Sequence, residues 1–185
     1  METYSNIGER ELAALCSKMD RSALKELYTR YAARVLALCF RYTNDRMASE
    51  DIMHDTMIKV FGAIGRFRYQ GDGSLYAWIR RIAVNLVIDR LRKRNSSDLS
   101  ALREEELLIE ETSQDIPIPV VLGIISTLPD TQRLVLNLYC IDGFSHKEIA
   151  DMLGIKPKTS SSLLSKARRT LNERIEKYSN TRIKR

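Results

Sequence analysis

The chain has 185 residues, room for one ordinary domain or two small ones, and its 44% apolar content can build a core, which argues against global disorder. It carries 30 Lys and Arg against 24 Asp and Glu, a net charge of +6 with a pI near 9.3, which favours an acidic partner such as nucleic acid, an anionic membrane or an acidic protein face. The opening METYSNIGERELAAL has no basic stretch followed by an apolar run, and nowhere do about 18 apolar residues follow one another, so neither a secretory leader nor membrane insertion is expected.

Apolar residues recur in steps of three and four, and with 8 Gly and 4 Pro the chain is poor in turn punctuation; an all-α fold is predicted. Leu24, Leu27, Tyr28, Tyr31, Val35, Leu38 and Tyr42 mark one face of a long helix with Asp20 as its N-cap. Asn44-Asp45 makes a turn. A second helix runs from Arg46 to about Ile64, with Ile52, Thr56, Val60 and Ile64 at four-residue steps. RFRYQGDGS, 66–74, reads as a loop, and Ser74 is expected to cap a third long helix ending near Arg94.

Composition then changes. Residues 95–117 hold Asp98, Glu104, Glu105, Glu106, Glu110, Glu111 and Asp115 against Arg103 alone, a balance of −6, together with a Ser pair and the start of an IPIP run. This span reads as an acidic linker with a helical piece around 99–111. Helical spacing resumes with Val120, Ile124, Ile125 and Leu128. The prediction is two small helical domains, 1–94 and 118–185, joined by the 95–117 linker.

Positive charge is concentrated at two places. Arg66, Arg68, Arg80, Arg81, Arg90, Arg92, Lys93 and Arg94 stand against Asp72 and Asp89, a balance of +6 over 66–94. Ten bases from Lys156 to Arg185 stand against Glu173 and Glu176, a balance of +8. A surface built only for solubility would intersperse the signs. Two cationic blocks flanking an anionic linker point instead to two nucleic-acid contacts on one chain.

The segment SHKEIADMLGIKPKTSSSLLSKARRTL, 145–171, has the form of a helix-turn-helix. Ile149, Ala150 and Leu153 give the first helix an apolar face, and Ala150 is small where two helices cross. Gly154 can adopt the positive φ that ends a helix, and Pro157 suits the first turn of the next. Leu164, Ala167 and Leu171 form that helix's seam, with Ser161, Ser162, Ser165, Lys166, Arg168 and Arg169 on the other side. A small polar start and a basic body fit a helix entering the major groove. Ser160 sits where the seam wants an apolar side chain; its hydroxyl needs a partner, for which the carbonyl one helical turn back is expected.

Catalytic alternatives are thin. Cys16, Cys39 and Cys140 are an odd number at long spacings without a CxxC, which favours reduced, buried thiols and a cytoplasmic setting over zinc. His54-Asp55 is an HD pair with Asp51 one turn before it, but metal phosphohydrolases need further histidines, and His146 is the only other one. No GxxxxGK[ST] or GxSxG is present. No metal, cofactor, small-molecule substrate or enzymatic activity is expected.

Three stretches in order resemble one family. LYTRYAARVLALCFRYTNDRMASEDIMHDTMIKVF resembles the first-domain core, GDGSLYAWIRRIAVNLVIDRLRKR the promoter-melting helix, and LPDTQRLVLNLYCIDGFSHKEIADMLGI with KARRTL the C-terminal helix-turn-helix of extracytoplasmic-function sigma factors of bacterial RNA polymerase. The resemblance covers nearly the whole chain. It implies binding of core polymerase through Glu50, Asp51, His54 and Asp55, a stripe that meets the clamp of the largest subunit, with the flap as a second contact. It implies that Phe67, Tyr69, Arg80, Arg81, Asn85 and Arg92 handle a minus-ten promoter element, stacking on extruded bases and gripping phosphates. Trp78 could also stack, though its helical spacing from Ile82 favours a place in the core. Lys158, Ser161, Ser162, Ser165, Lys166, Arg168 and Arg169 would meet a minus-thirty-five element as duplex. The acidic linker would lie along the polymerase's RNA path, or serve only as a self-repelling spacer. An anti-sigma protein is a further partner the resemblance allows.

The sequence departs from the family pattern at two places. His54-Asp55 replaces a usual Gln-Glu, and Thr159-Ser160-Ser161-Ser162 replaces Thr-Val-Lys-Ser, removing a base from the recognition helix. A stand-alone helix-turn-helix regulator would explain 118–185 equally well, but not the basic helix within 66–94.

Overall fold

The computed structural model describes residues 4, 6–94 and 116–183, and every regular element among them is helical. The helices are α1 (Glu9–Ser17), α2 (Arg21–Thr43), α3 (Arg46–Ala63), α4 (Ser74–Arg94), α5 (Ile118–Ser126), α6 (Asp130–Leu136), α7 (His146–Leu153) and α8 (Pro157–Ile183). A single 3₁₀ turn, Ile64–Arg66, follows α3, and a π-turn, Asn137–Ile141, follows α6. Contacts divide the chain into two units, Met1–Arg90 and Leu91–Arg185. Except for Ile116 and Pro117, the expected linker and its helical piece lie outside the described residues.

In the first unit, local caps set the long hairpin of α2 and α3. The Asp20 carboxylate accepts from the Ala23 N–H at 2.8 Å, and Asp45 accepts from the Ala48 N–H at 3.1 Å, each satisfying a donor that a helix start leaves unpaired. Asn44 takes the left-handed conformation (φ 50°) that stops α2. α2 buries Leu27, Tyr31, Val35, Leu38 and Tyr42; α3 buries Ile52, Met53, Met57 and Val60. Each such side chain contributes about 1.5–3 kcal/mol relative to exposure. At the hairpin's end the Thr43 and Ser49 hydroxyls meet at 2.8 Å, so both buried oxygens are satisfied.

α4 adds Leu75, Ile79, Ala83 and Val87 at four-residue steps, all buried. Its start differs from the sequence expectation. Ser74 is the first helical residue, and its hydroxyl accepts from the Gln70 N–H at 3.2 Å behind it. The Gly73 and Leu75 N–H groups donate instead to Glu9 of α1, at 2.8 and 3.4 Å. A side chain distant in sequence replaces the local cap.

In the second unit the Arg133 guanidinium, 3% exposed, binds the carbonyls of Leu128 (2.7 Å) and Ser126 (3.2 Å) and the Asp130 carboxylate (2.5 Å). It thereby satisfies carbonyls at the end of α5 and ties that end to α6, the kind of pairing a buried charge requires. α7 opens with a capping box: Ser145 Oγ accepts from the Glu148 N–H at 3.3 Å, and Glu148 accepts from the Ser145 N–H at 2.8 Å. It ends at Gly154 with φ 67°, as the sequence suggests. Ile149, Ala150 and Leu153 of α7 and Leu163, Leu164 and Ala167 of α8 are buried together, forming the helix-turn-helix.

Cys16 and Cys39 are buried, and burial pushes their thiols up to about 11 and about 12, which makes them inert. Cys140 is exposed, contrary to expectation, because the π-turn rotates it away from the core while Leu138 is buried. No helix among the described residues is long and apolar enough to cross a membrane, and those residues contain no group of three His, Cys, Asp or Glu able to hold a metal.

Candidate polymerase and nucleic-acid interfaces

The four residues of the acidic stripe fall along α3. Asp51, His54 and Asp55 are exposed and Glu50 is half-buried. Glu50 pairs with Arg46 one turn back (2.8 Å), and Asp51 with Arg90 of α4 (3.3 Å). Both pairs are open to solvent, so each contributes little to folding. Met47 and Ile58 stand on the same face at i, i+4, i+7, i+11 with Asp51 and His54, and are 78% and 67% exposed. The sequence reading passed over them, although this spacing was visible. An acidic centre between two exposed apolar residues has the composition of a docking face.

The loop before α4 is shaped from within. Phe67 packs on Trp78 with ring centroids 5.5 Å apart, so both rings are half-buried. Trp78 therefore sits at the edge of the core. Tyr69 is 37% exposed and donates from its hydroxyl to Asp72 at 2.7 Å. Along α4, Arg81, Asn85 and Arg92 are exposed at i, i+4 and i+11, one face of the helix, while Arg80 is half-buried. Tyr76, which the sequence reading did not single out, stacks on Tyr31 (6.0 Å) and carries the Arg34 guanidinium 3.7 Å over its ring.

On α8, Lys158, Ser161, Arg168 and Arg169 are exposed, and Ser165 and Lys166 are half-buried. Ser162 was expected beside Ser161 on the open side. It is instead buried, 8% exposed, beside buried Leu163. Ser160 is fully buried, and its partner is not the carbonyl a turn back. Its hydroxyl lies 3.0 Å from His146 Nδ1 on α7. The His146 ring stacks on Tyr139 of the π-turn at 4.4 Å. Burial lowers the His146 pKa below 6.5, and the nearby Arg168 lowers it further. The Arg168 guanidinium lies 6.0 Å over Tyr139, with Nη2 3.9 Å from Cys140 Sγ, so the π-turn helps to aim a cation of the recognition helix.

These features define a helix-turn-helix DNA-binding protein with a second, separate basic helix. Comparison with known proteins makes the class specific. A model of Sigma-70 region 2 matches residues 27–97, and one of Sigma-70, region 4 matches residues 120–171. The chain is 26% identical to the RNA polymerase sigma-H factor of Pseudomonas aeruginosa, over 91% of this chain and 94% of that protein. It is 28% identical to the ECF RNA polymerase sigma-E factor of Escherichia coli, again over 91% and 94%. CnrH, solved in complex with the cytosolic domain of CnrY, shares the fold with a TM-score of 0.51 and 22% identity, over 91% of this chain and 97% of that one. So does the sigma factor RpoE of Bartonella quintana, solved with the anti-sigma factor NepR, at 0.51 and 22% over 82% and 96%. The chain belongs to the sigma-70 family, as an extracytoplasmic-function sigma factor that binds core RNA polymerase and directs it to promoters.

Proposed function

We propose that the work of initiation is divided between residues 1–94 and residues 118–185. The α3 stripe of Glu50, Asp51, His54 and Asp55, flanked by Met47 and Ile58, docks on the clamp of the largest polymerase subunit, where acids meet bases in charge-assisted pairs. Tyr69 and the Phe67–Trp78 pair receive bases extruded from the minus-ten element. Arg80, Arg81, Asn85 and Arg92 hold the strand beside them.

The recognition helix α8 meets the minus-thirty-five element as duplex, through Ser161 and Ser165 at the base edges and Lys158, Lys166, Arg168 and Arg169 at phosphates. Serine hydroxyls both donate and accept and discriminate weakly, so phosphate contacts dominate its affinity. The acidic span 95–117 follows the path of the nascent RNA, whose walls must be basic to hold a transcript. The chain acts in the cytoplasm, catalyses no reaction itself, and is held in reserve by an anti-sigma protein, as CnrY and NepR are seen bound to CnrH and to Bartonella RpoE.

The observation that supports this division most strongly is the exposed line Arg81, Asn85 and Arg92 on α4 behind a loop that presents Tyr69. A stand-alone regulator has no use for it. Permanganate mapping of unpaired thymines in a promoter bound by the holoenzyme tests it. Opening confined to the minus-ten region supports the reading, and a fully paired promoter contradicts it.

A further inference from the structure

Glu9 is the first residue of α1, where a carboxylate ordinarily does no more than favour its own helix dipole. Here both of its oxygens are engaged elsewhere. Oε1 accepts from the Tyr31 hydroxyl at 2.9 Å. Oε2 accepts from the Gly73 N–H at 2.8 Å and the Leu75 N–H at 3.4 Å. Tyr31 is 2% exposed and stacks on Tyr76 of α4, so the carboxylate is held from the side by a fixed ring.

The loop it holds needs such a tie. Gly71 and Gly73 have φ of 117° and 87°, conformations open to glycine but costly for other residues. Glycine permits this shape without enforcing it. The Tyr69–Asp72 bond lies within the loop and moves with it, and the Gln70–Ser74 bond reaches only the first residue of α4. The Glu9 bonds reach from α1, 64 residues away in sequence, and fix the loop's last glycine to the body of the unit. The charge also lies at the positive end of α4.

We infer that Glu9 is a positioning residue for promoter opening: it locks the 66–73 loop in the shape that receives unpaired minus-ten bases. The inference rests on the reading of that loop given above. A receptor already shaped for its ligand avoids the ordering cost that a mobile loop incurs on binding. Glu9 touches no DNA in this scheme and acts through Gly73 and Leu75.

The test uses holoenzyme assembled with wild-type protein, Glu9→Ala, Glu9→Gln and Tyr69→Ala. Four quantities are read: thermal midpoint, core affinity, amide hydrogen exchange across 70–76, and the rate of opening reported by 2-aminopurine in the minus-ten element. Glu9→Ala is expected to raise exchange at Gly73 and Leu75 and to slow opening about tenfold, the scale of one lost bond to a charged group. Core affinity should stay within about twofold, since Glu9 lies outside the α3 stripe. Glu9→Gln, which keeps the shape and one acceptor, should recover much of the rate. Wild-type opening by Glu9→Ala alongside slow opening by Tyr69→Ala overturns the role of Glu9 alone. Wild-type opening by both overturns the minus-ten role of the loop, and the inference with it. Equal losses in core affinity and opening by both Glu9 variants would mean general destabilisation and also overturn it.

Discussion

The Ser160 hydroxyl and His146 Nδ1, 3.0 Å apart, form a polar bond inside the helix-turn-helix, between the first turn of α7 and the first turn of α8. Ser160 is sealed from solvent, so its hydroxyl cannot exchange this bond for one to water without opening the packing. Ser160→Ala leaves the ring nitrogen without its hydroxyl partner and should cost about 1 kcal/mol. A double-mutant cycle with His146→Phe should return a coupling energy of about 0.5–1.5 kcal/mol in chemical denaturation. Zero coupling would mean that the two side chains are adjacent but independent.

Burial of His146 makes this unit sensitive to acid. The folded structure disfavours protonated His146, chiefly through burial and then through Arg168, so its pKa lies below the ordinary 6.5. The unfolded chain then binds the proton more readily than the folded one. The stabilisation is complete above pH 6.5 and is lost as pH falls through the lowered folded value. The thermal midpoint should therefore fall between about pH 7 and about pH 5. His146→Gln, which keeps a polar partner for Ser160, should flatten that part of the profile.

Asp51 is exposed and its pair with Arg90 is open to solvent. Asp51→Arg should therefore change stability by no more than about 1 kcal/mol. If the α3 stripe meets basic groups on the polymerase clamp, the same change should weaken core binding about tenfold or more. Titration of labelled protein with core polymerase measures it, and an unchanged affinity removes the stripe from the interface.

Much of this arrangement was legible in the sequence because it is encoded locally. Asp20 and Asp45 bond to amides three residues ahead, and Gly154 ends its helix through its own φ, so a short window suffices to find them. The start of α4 was misread for the opposite reason. Ser74 resembles a cap in a short window, but the acceptor is Glu9, which only the tertiary fold brings there. Ser162 was expected on the open side, and its burial escaped because runs of serine carry no hydrophobic phase. With Ser160 also drawn inward, the buried face of α8 begins a turn earlier than its leucines indicate. Cys140 escaped because a π-turn shifts the helical phase after Leu136.

Tyr69 separates binding from melting. Its ring is the more exposed of the loop's two aromatic residues, and only its hydroxyl is tied, to Asp72. Tyr69→Ala should remove a stacking surface worth about 1–3 kcal/mol per base. Open-complex formation should fall accordingly, while affinity for a closed duplex promoter changes little. Filter binding on duplex and permanganate reactivity on the same promoter give the two values, and equal losses in both would argue against a role in melting.

The most direct test of the whole scheme is transcription from purified parts. Core RNA polymerase, this chain and no other sigma factor are incubated with a pool of genomic fragments from the source cell, and the transcript 5′ ends are sequenced. Initiation at a discrete set of sites sharing minus-ten and minus-thirty-five elements is expected, lost with Asp51→Arg and weakened with Tyr69→Ala. Initiation at no site, or at the sites that core polymerase uses alone, would contradict it.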